Sequence, residues 1–138
     1  MKILIDNNVI LDALLKRSPF NEGAEKIMIA CSETHEGCIS VNSLTDIFYI
    51  LRKLTDVPSA NAAIIKLTEL FDIITVTGDD CVSALELQID DFEDALIVIC
   101  GMNAGANYIV TRDNSFLNVK SGIPVISPDS LLDIINHD

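Results

Sequence analysis

Ile3-Leu4-Ile5-Asp6-Asn7-Asn8-Val9-Ile10-Leu11-Asp12 is the stretch on which the fold turns. Three apolar residues end on an acid, two amides follow, and apolar residues then resume at helical spacing as far as Leu15. This predicts a short strand buried on both faces, a turn carrying Asp6, and a helix. The alternation continues outward along the chain. Short apolar runs at residues 38–41, 73–76, 108–111 and 124–126 read as further strands, and residues 9–15, 22–31, 44–54, 60–71 and 92–102 carry helical spacing. Strand alternating with helix predicts an α/β fold with a parallel central sheet covered on both faces. Ligands of such sheets bind in the crevice beyond the carboxyl ends of the strands, so residues there carry the functional question.

The chain has 138 residues, 9 basic against 21 acidic side chains, and a formal charge of −12. With 49% apolar and 22% charged residues it is composed as a globular protein, not a disordered one. A basic-patch nucleic-acid binder and a polybasic membrane-surface protein are disfavoured by the charge. Gly and Pro together number only ten, and no linker or repeat divides the sequence, so one domain over residues 1–138 is expected. Cys31, Cys38, Cys81 and Cys100 form no CxxC pair and sit in apolar runs, as reduced core thiols do. Cys31, His35 and Cys38 match no common zinc spacing. The N-terminus reaches Asp6 after three apolar residues, and no run of 18 apolar residues exists. No secretory signal, no membrane span and a cytoplasmic location are therefore expected.

Four acids fall at or near the predicted ligand edge. Asp6 ends the first strand, Asp46 follows the second by one helical turn, Asp94 lies in the first turn of the helix before the fourth, and Asp113 follows the fourth. Each has a local explanation too. Ser43 with Asp46, and Asp91 with Asp94, have the spacing of a helix cap and an acid three residues on, and Asp6 and Asp113 suit turns. Four independent caps and turns, however, have no reason to share one rim. Carboxylates about 5 Å apart repel by about 3 kcal/mol per pair at an effective dielectric near 20, so a converged quartet must take up protons or cations. Oxygen-only ligands suit Mg²⁺ or Mn²⁺ better than Zn²⁺, and two such ions about 3.5–4 Å apart form a clamp for phosphodiester cleavage.

At these residues the chain resembles a known family. Residues 3–12 look like the opening of PIN-domain nucleases, and Asp91-Phe92-Glu93-Asp94-Ala95-Leu96 and Ile109-Val110-Thr111-Arg112-Asp113 resemble that family's later acidic motifs. The resemblance implies a three-layer α/β/α sandwich and a Mg²⁺- or Mn²⁺-dependent endoribonuclease leaving 5′-phosphate and 3′-hydroxyl ends. Asp6, Asp46, Asp94 and Asp113 match its acidic quartet. Asn8 matches a group that orients the first acid, and Thr111 the Thr before the last acid. Asp91 is an alternative or additional ligand, with helix capping its other role. Many members are VapC-type toxins neutralised by a small antitoxin encoded beside them, and many are homodimers. Asn7 stands where the family usually has Thr or Ser, Asp46 replaces a more frequent Glu, and Ser115 occupies a position that often carries a further acid.

Competing enzymes fit poorly. A dehalogenase-type phosphotransferase needs an acid where Asn8 stands, and a receiver domain needs a double acid where the chain has Asp6-Asn7. Neither a GxxxxGK[ST] loop nor a GxGxxG after the first strand is present, and His35 and His137 are the only histidines. The alternative from another class is a PIN-like module that has lost activity and serves as a binding partner, which the −12 charge favours over RNA contact. For substrate, Arg112 beside Asp113 is the cation placed to reach a phosphate.

Overall fold

The opening stretch folds as read. In the computed structural model, which describes residues 1–137, β1 (Lys2–Ile5) runs into α1 (Asn7–Leu14), with Asp6 as the helix N-cap. There follow α2 (Asn21–Glu33), β2 (Glu36–Ser40), α3 (Val41–Leu54), α4 (Val57–Leu70), β3 (Asp72–Ile74), α5 (Gly78–Glu86), α6 (Phe92–Ala104), β4 (Tyr108–Val110), α7 (Asn114–Leu117), β5 (Val125–Ile126) and α8 (Pro128–Asn136). The strands form one parallel sheet in the order β3-β2-β1-β4-β5. The chain therefore winds outward from β1 in one direction and returns to its other side at β4. The crevice between β1 and β4 is the topological switch point, where open α/β sheets bind ligands.

Strand alternation sorts the core into two layers. Ile3 and Ile5 face one side, packed with Ile10, Ile27, Ile47, Leu67 and Leu131 from α1, α2, α3, α4 and α8. Leu4 faces the other, packed with Ile97 and Val98 of α6 and Phe116 of α7. All are at most 2% exposed, so the sheet is covered on both faces and the α/β/α sandwich holds. Residues 94–101 of α6 are buried without interruption, because this helix lies between the sheet and α5. Gly101 lets it approach the sheet: a Cβ there would meet Ile109 and Ile123 side chains at 3.0–3.4 Å. α6 ends on Gly105 at φ 69°, the left-handed cap position that glycine takes without strain.

Three details differ from the sequence reading. α3 begins at Val41, capped by the Ser40 hydroxyl, so Ser43 is inside the first turn and Asp46 lies a turn deeper than a capping acid would. α5 and α8, each nine residues, occupy segments given no helix from the pattern. Their start signals are visible in retrospect: a capping box from Thr77 to Asp80, and Ser127 followed by Pro128 at the first turn. The cysteines are free, and Cys31 and Cys38 belong to opposite core layers, consistent with core thiols. Among the described residues no helix is long and apolar enough to cross a membrane.

Candidate active site

Asp6 is the hub of the carboxyl edge. Its backbone N–H donates to Val110 O (3.0 Å), which locks the end of β1 to the end of β4, and its side chain is 5% exposed. Neutral donors hold both carboxylate oxygens. Oδ1 accepts from the Asn7 backbone N–H (2.8 Å), while Oδ2 accepts from the Thr111 hydroxyl (2.8 Å) and from Asn8 Nδ2 (3.3 Å). Thr111, fully buried, uses every position its hydroxyl has: it donates to Asp6 and accepts from Asn8 Nδ2 (3.0 Å) and the Asp113 N–H (3.1 Å). Asn8 closes the ring by accepting the Arg112 N–H at 3.0 Å. Thr111 and Asn8 thus tie Asp6 and the Asp113 turn into one rigid unit.

Among the described residues no basic side chain pairs with the acids collected here. Burial pushes the Asp6 carboxyl above its usual range despite the hydrogen bonds, and the nearby Asp113 and Asp46 charges add to the shift. Asp94, buried in the first turn of α6, is pushed up to about 7 by burial and then by Asp91, Asp6 and Asp113. The structure therefore brings the other three expected acids, Asp46, Asp94 and Asp113, within electrostatic reach of Asp6, each from a different segment of the chain. Asp91 is the N-cap of α6 and accepts the Asp94 N–H at 3.0 Å, which fulfils its capping role. Asp113 caps α7 through the Ser115 N–H (2.9 Å) and remains exposed to solvent.

Glu93 is a fifth acid at this rim, and the sequence reading did not single it out. Asn7 Nδ2 lies 3.3 Å from Asp46 Oδ2 and 3.5 Å from Glu93 Oε1, so one amide spans both carboxylates. Glu93 is pushed up to about 7 by burial, by donating to Asp46 when protonated, and by the Asp46, Asp6 and Asp91 charges. Asn7 thus contributes an amide at the place where the resemblance led one to expect a hydroxyl.

Arg112, which the sequence places to reach a phosphate, has most of its guanidinium engaged inside the fold. Its Nε and Nη2 donate to Asp12 Oδ2 (2.5 Å) and Oδ1 (2.8 Å), and its planar group stacks 4.0 Å from the centre of the Phe20 ring. Asp12 is 1% exposed and has a second basic neighbour in Arg17 at 3.8 Å. A charge buried in this way requires its partner, and a bidentate guanidinium supplies it.

Comparison with known proteins agrees with this geometry. A PIN domain family model matches residues 2–115. No curated protein matches the sequence significantly. Among solved structures, VapBC2 from Rickettsia felis, bound to a DNA fragment from its promoter, aligns at TM-score 0.71 and 15% identity over 92% of this chain and 98% of that one. VapC20 of Mycobacterium tuberculosis, described as a sarcin-ricin loop cleaving toxin, gives 0.69 and 20% over 83% and 92%. A toxin-antitoxin complex from Klebsiella pneumoniae gives 0.70 and 20% over 91% and 97%. The family model covers most of the chain, including the strand ends that carry Asp6 and Asp113, and the chain belongs to the PIN-domain family.

Proposed function

We propose that the chain is a divalent-metal-dependent endoribonuclease, a single domain over residues 1–138, acting as the toxin of a toxin-antitoxin pair. The observation that carries this reading is Asp6: a buried carboxylate within electrostatic reach of three others and held only by neutral donors. Such a site holds protons until a hard cation replaces them. Among the described residues no three acidic, histidine or cysteine side chains already surround a common point, so the fit rests on donor chemistry and charge. Every donor is an oxygen, which suits Mg²⁺ or Mn²⁺.

Asp6, Asp94 and Asp113 would hold the main ion, and Asp46 would complete the site or hold a second. When bound, a divalent ion supplies Lewis acidity and a more acidic water for in-line attack on a phosphodiester. The chain's own residues set the stage for that. Thr111 and Asn8 fix the direction of the Asp6 carboxylate, and through the Asp113 N–H they set the position of the exposed Asp113. Asn7 holds Asp46 and Glu93 side by side, and Glu93, titrating at about 7, can hold or release a proton at the rim.

RNA as substrate and an antitoxin as partner are supported by the names of the Mycobacterium and Klebsiella structures. Tyr49 on α3 is about 60% exposed at the rim of an apolar hollow lined also by Val41, Leu44, Phe48 and Ile64, a surface that suits a partner chain. A basic partner would also offset part of the −12 charge. The test is incubation with structured RNA and Mn²⁺, beside EDTA, Asp6→Asn and Asp94→Asn. The expected result is cleavage that EDTA abolishes and either substitution lowers by about 100-fold or more. Cleavage that survives both substitutions contradicts the assignment. Mn²⁺ binding without cleavage, with tight capture of a partner, supports the inactive binding module instead.

A further inference from the structure

A cleft of about 500 Å³ opens directly beside Asp113, at the carboxyl ends of β4 and β5. Pro19, Phe20, Gly23, Arg112, Asn114 and Asp129 are among the residues that line it. We propose that this cleft seats a nucleobase of the RNA next to the scissile phosphate, by stacking on the Phe20–Arg112 wall and by donating an exocyclic amino hydrogen to Asp129. The proposal rests on the ribonuclease reading above.

The size and position fit. Ligand pockets run from about 300 to 1,000 Å³, so the cleft has room for one base and its sugar. Arg112 and Asn114 are the immediate chain neighbours of Asp113, so a nucleotide in the cleft has its backbone at the acidic rim. The wall is the kind that single-stranded RNA uses. Phe20 is 45% exposed, an unusual state for a large aromatic ring, and the Arg112 guanidinium lies 4.0 Å from its centre. Bases splayed from single strands stack on aromatic rings and on guanidinium planes in just this way.

The charge of the cleft selects the base and not the phosphate. Asp12 holds Arg112 through two hydrogen bonds, so the one cation of the wall is already neutralised. The remaining charges, Asp129 in the cleft and Asp113 at its edge, are both negative and both exposed. A phosphate is repelled there, whereas a base edge that donates hydrogen bonds is favoured. Adenine, cytosine and guanine carry an exocyclic amino group, and uracil does not. Asn114, exposed at the same mouth, can pair with the neighbouring ring acceptor.

The experiment combines two readouts on the wild type, Phe20→Ala and Asp129→Asn. Amide chemical shifts are followed during titration with 5′-AMP, CMP, GMP and UMP, and Mn²⁺-dependent cutting is scored on short RNAs that differ in the base beside the cut. The expected result is that AMP, CMP and GMP move the Phe20, Gly23 and Asn114 amides while UMP binds about tenfold more weakly. Asp129→Asn should erase that difference, and Phe20→Ala should weaken all four by about tenfold. If Phe20→Ala fails to fold, Gly23→Leu replaces it. The Gly23 Cβ position has only Leu132 nearby, at 3.7 Å, so the new side chain fills the cleft without a clash at its base and should abolish the shifts. Wild-type amides that no nucleotide moves, or a cutting preference unchanged in both variants, overturn the cleft while leaving the nuclease intact. Mononucleotides that bind more tightly than the RNAs overturn the assignment to substrate RNA. Shifts as expected from a wild type that cuts no RNA overturn the nuclease reading and keep the base site.

Discussion

Asp6 and Asp12 lie six residues apart, both nearly inaccessible to solvent, and the fold treats them in opposite ways. Asp12 receives a bidentate guanidinium from Arg112 and the weaker attention of Arg17. Asp6 receives two amides and a hydroxyl, and its charged neighbours are other acids. One carboxylate is compensated in place, and the other has no basic partner among the described residues. Burial alone therefore does not distinguish the two acids; the counter-charge does, present at Asp12 and withheld at Asp6. The two are also mechanically joined, since Arg112 anchors to Asp12 by its side chain and to Asn8 by its backbone, and Asn8 in turn holds Asp6.

The largest expected effect comes from breaking the compensated side. Asp12→Ala leaves Arg112 without its partner in a partly buried position and should cost about 3–5 kcal/mol in denaturant unfolding. A loss below about 1 kcal/mol would mean that the pair is dispensable. Next is the hydroxyl that orients the uncompensated side. Thr111→Val removes the shorter of two donors to Asp6 Oδ2 and strands one amide hydrogen of Asn8 and the Asp113 N–H, for about 1–3 kcal/mol of stability, and should lower RNA cleavage by about tenfold or more, whereas Thr111→Ser should restore both.

The pH dependence probes the contrast more gently. Asp94 and Glu93 titrate at about 7 in the fold against 3.8 and 4.5 for free side chains, so between about pH 4 and 7 the folded chain holds protons that the unfolded chain has released. Stability without metal must then fall as pH rises through that window and stay low above it. The melting temperature should drop by about a few degrees from pH 5 to 8, and Asp94→Asn should flatten the slope. A rising melting temperature over the same range would show that the acids are compensated after all. Asn7→Ala should have the smallest effect, about 0.5–1 kcal/mol, because its bonds to Asp46 and Glu93 are long and only partly buried.

Much of this contrast was legible in the chain and part was not. The strand ends carrying Asp6 and Asp113 follow from short apolar runs that stop on an acid, a local pattern that any long-range packing must respect. Asp94 was legible for a different local reason, as an acid three residues after the capping Asp91 at the start of a helix. Asp12 was not. Its partner is 100 residues away, and nothing local separates it from an ordinary polar residue on a helix. Arg112 shows the same gap, since the sequence places it beside Asp113 but gives no sign of the carboxylate it binds. Glu93 stayed hidden because its neighbour Asp94 already fitted the pattern, and its reach to Asp46 depends on how α3 and α6 meet at the rim. The α3 cap was misplaced by three residues because Ser40 and Ser43 both suit the role; only the end of β2 decides between them.

Whether counter-charge is withheld at Asp6 so that a divalent cation can enter is decided by calorimetry. Mn²⁺ is titrated into the protein at pH 6.5 in two buffers of different ionisation enthalpy, for the wild type and Asp94→Asn. The expected result is Mn²⁺ binding with proton release in the wild type, because carboxyls titrating at about 7 must give up their protons to the metal, and binding at least about tenfold weaker with less release in the variant. Binding without proton release, or of equal strength in both proteins, would contradict it.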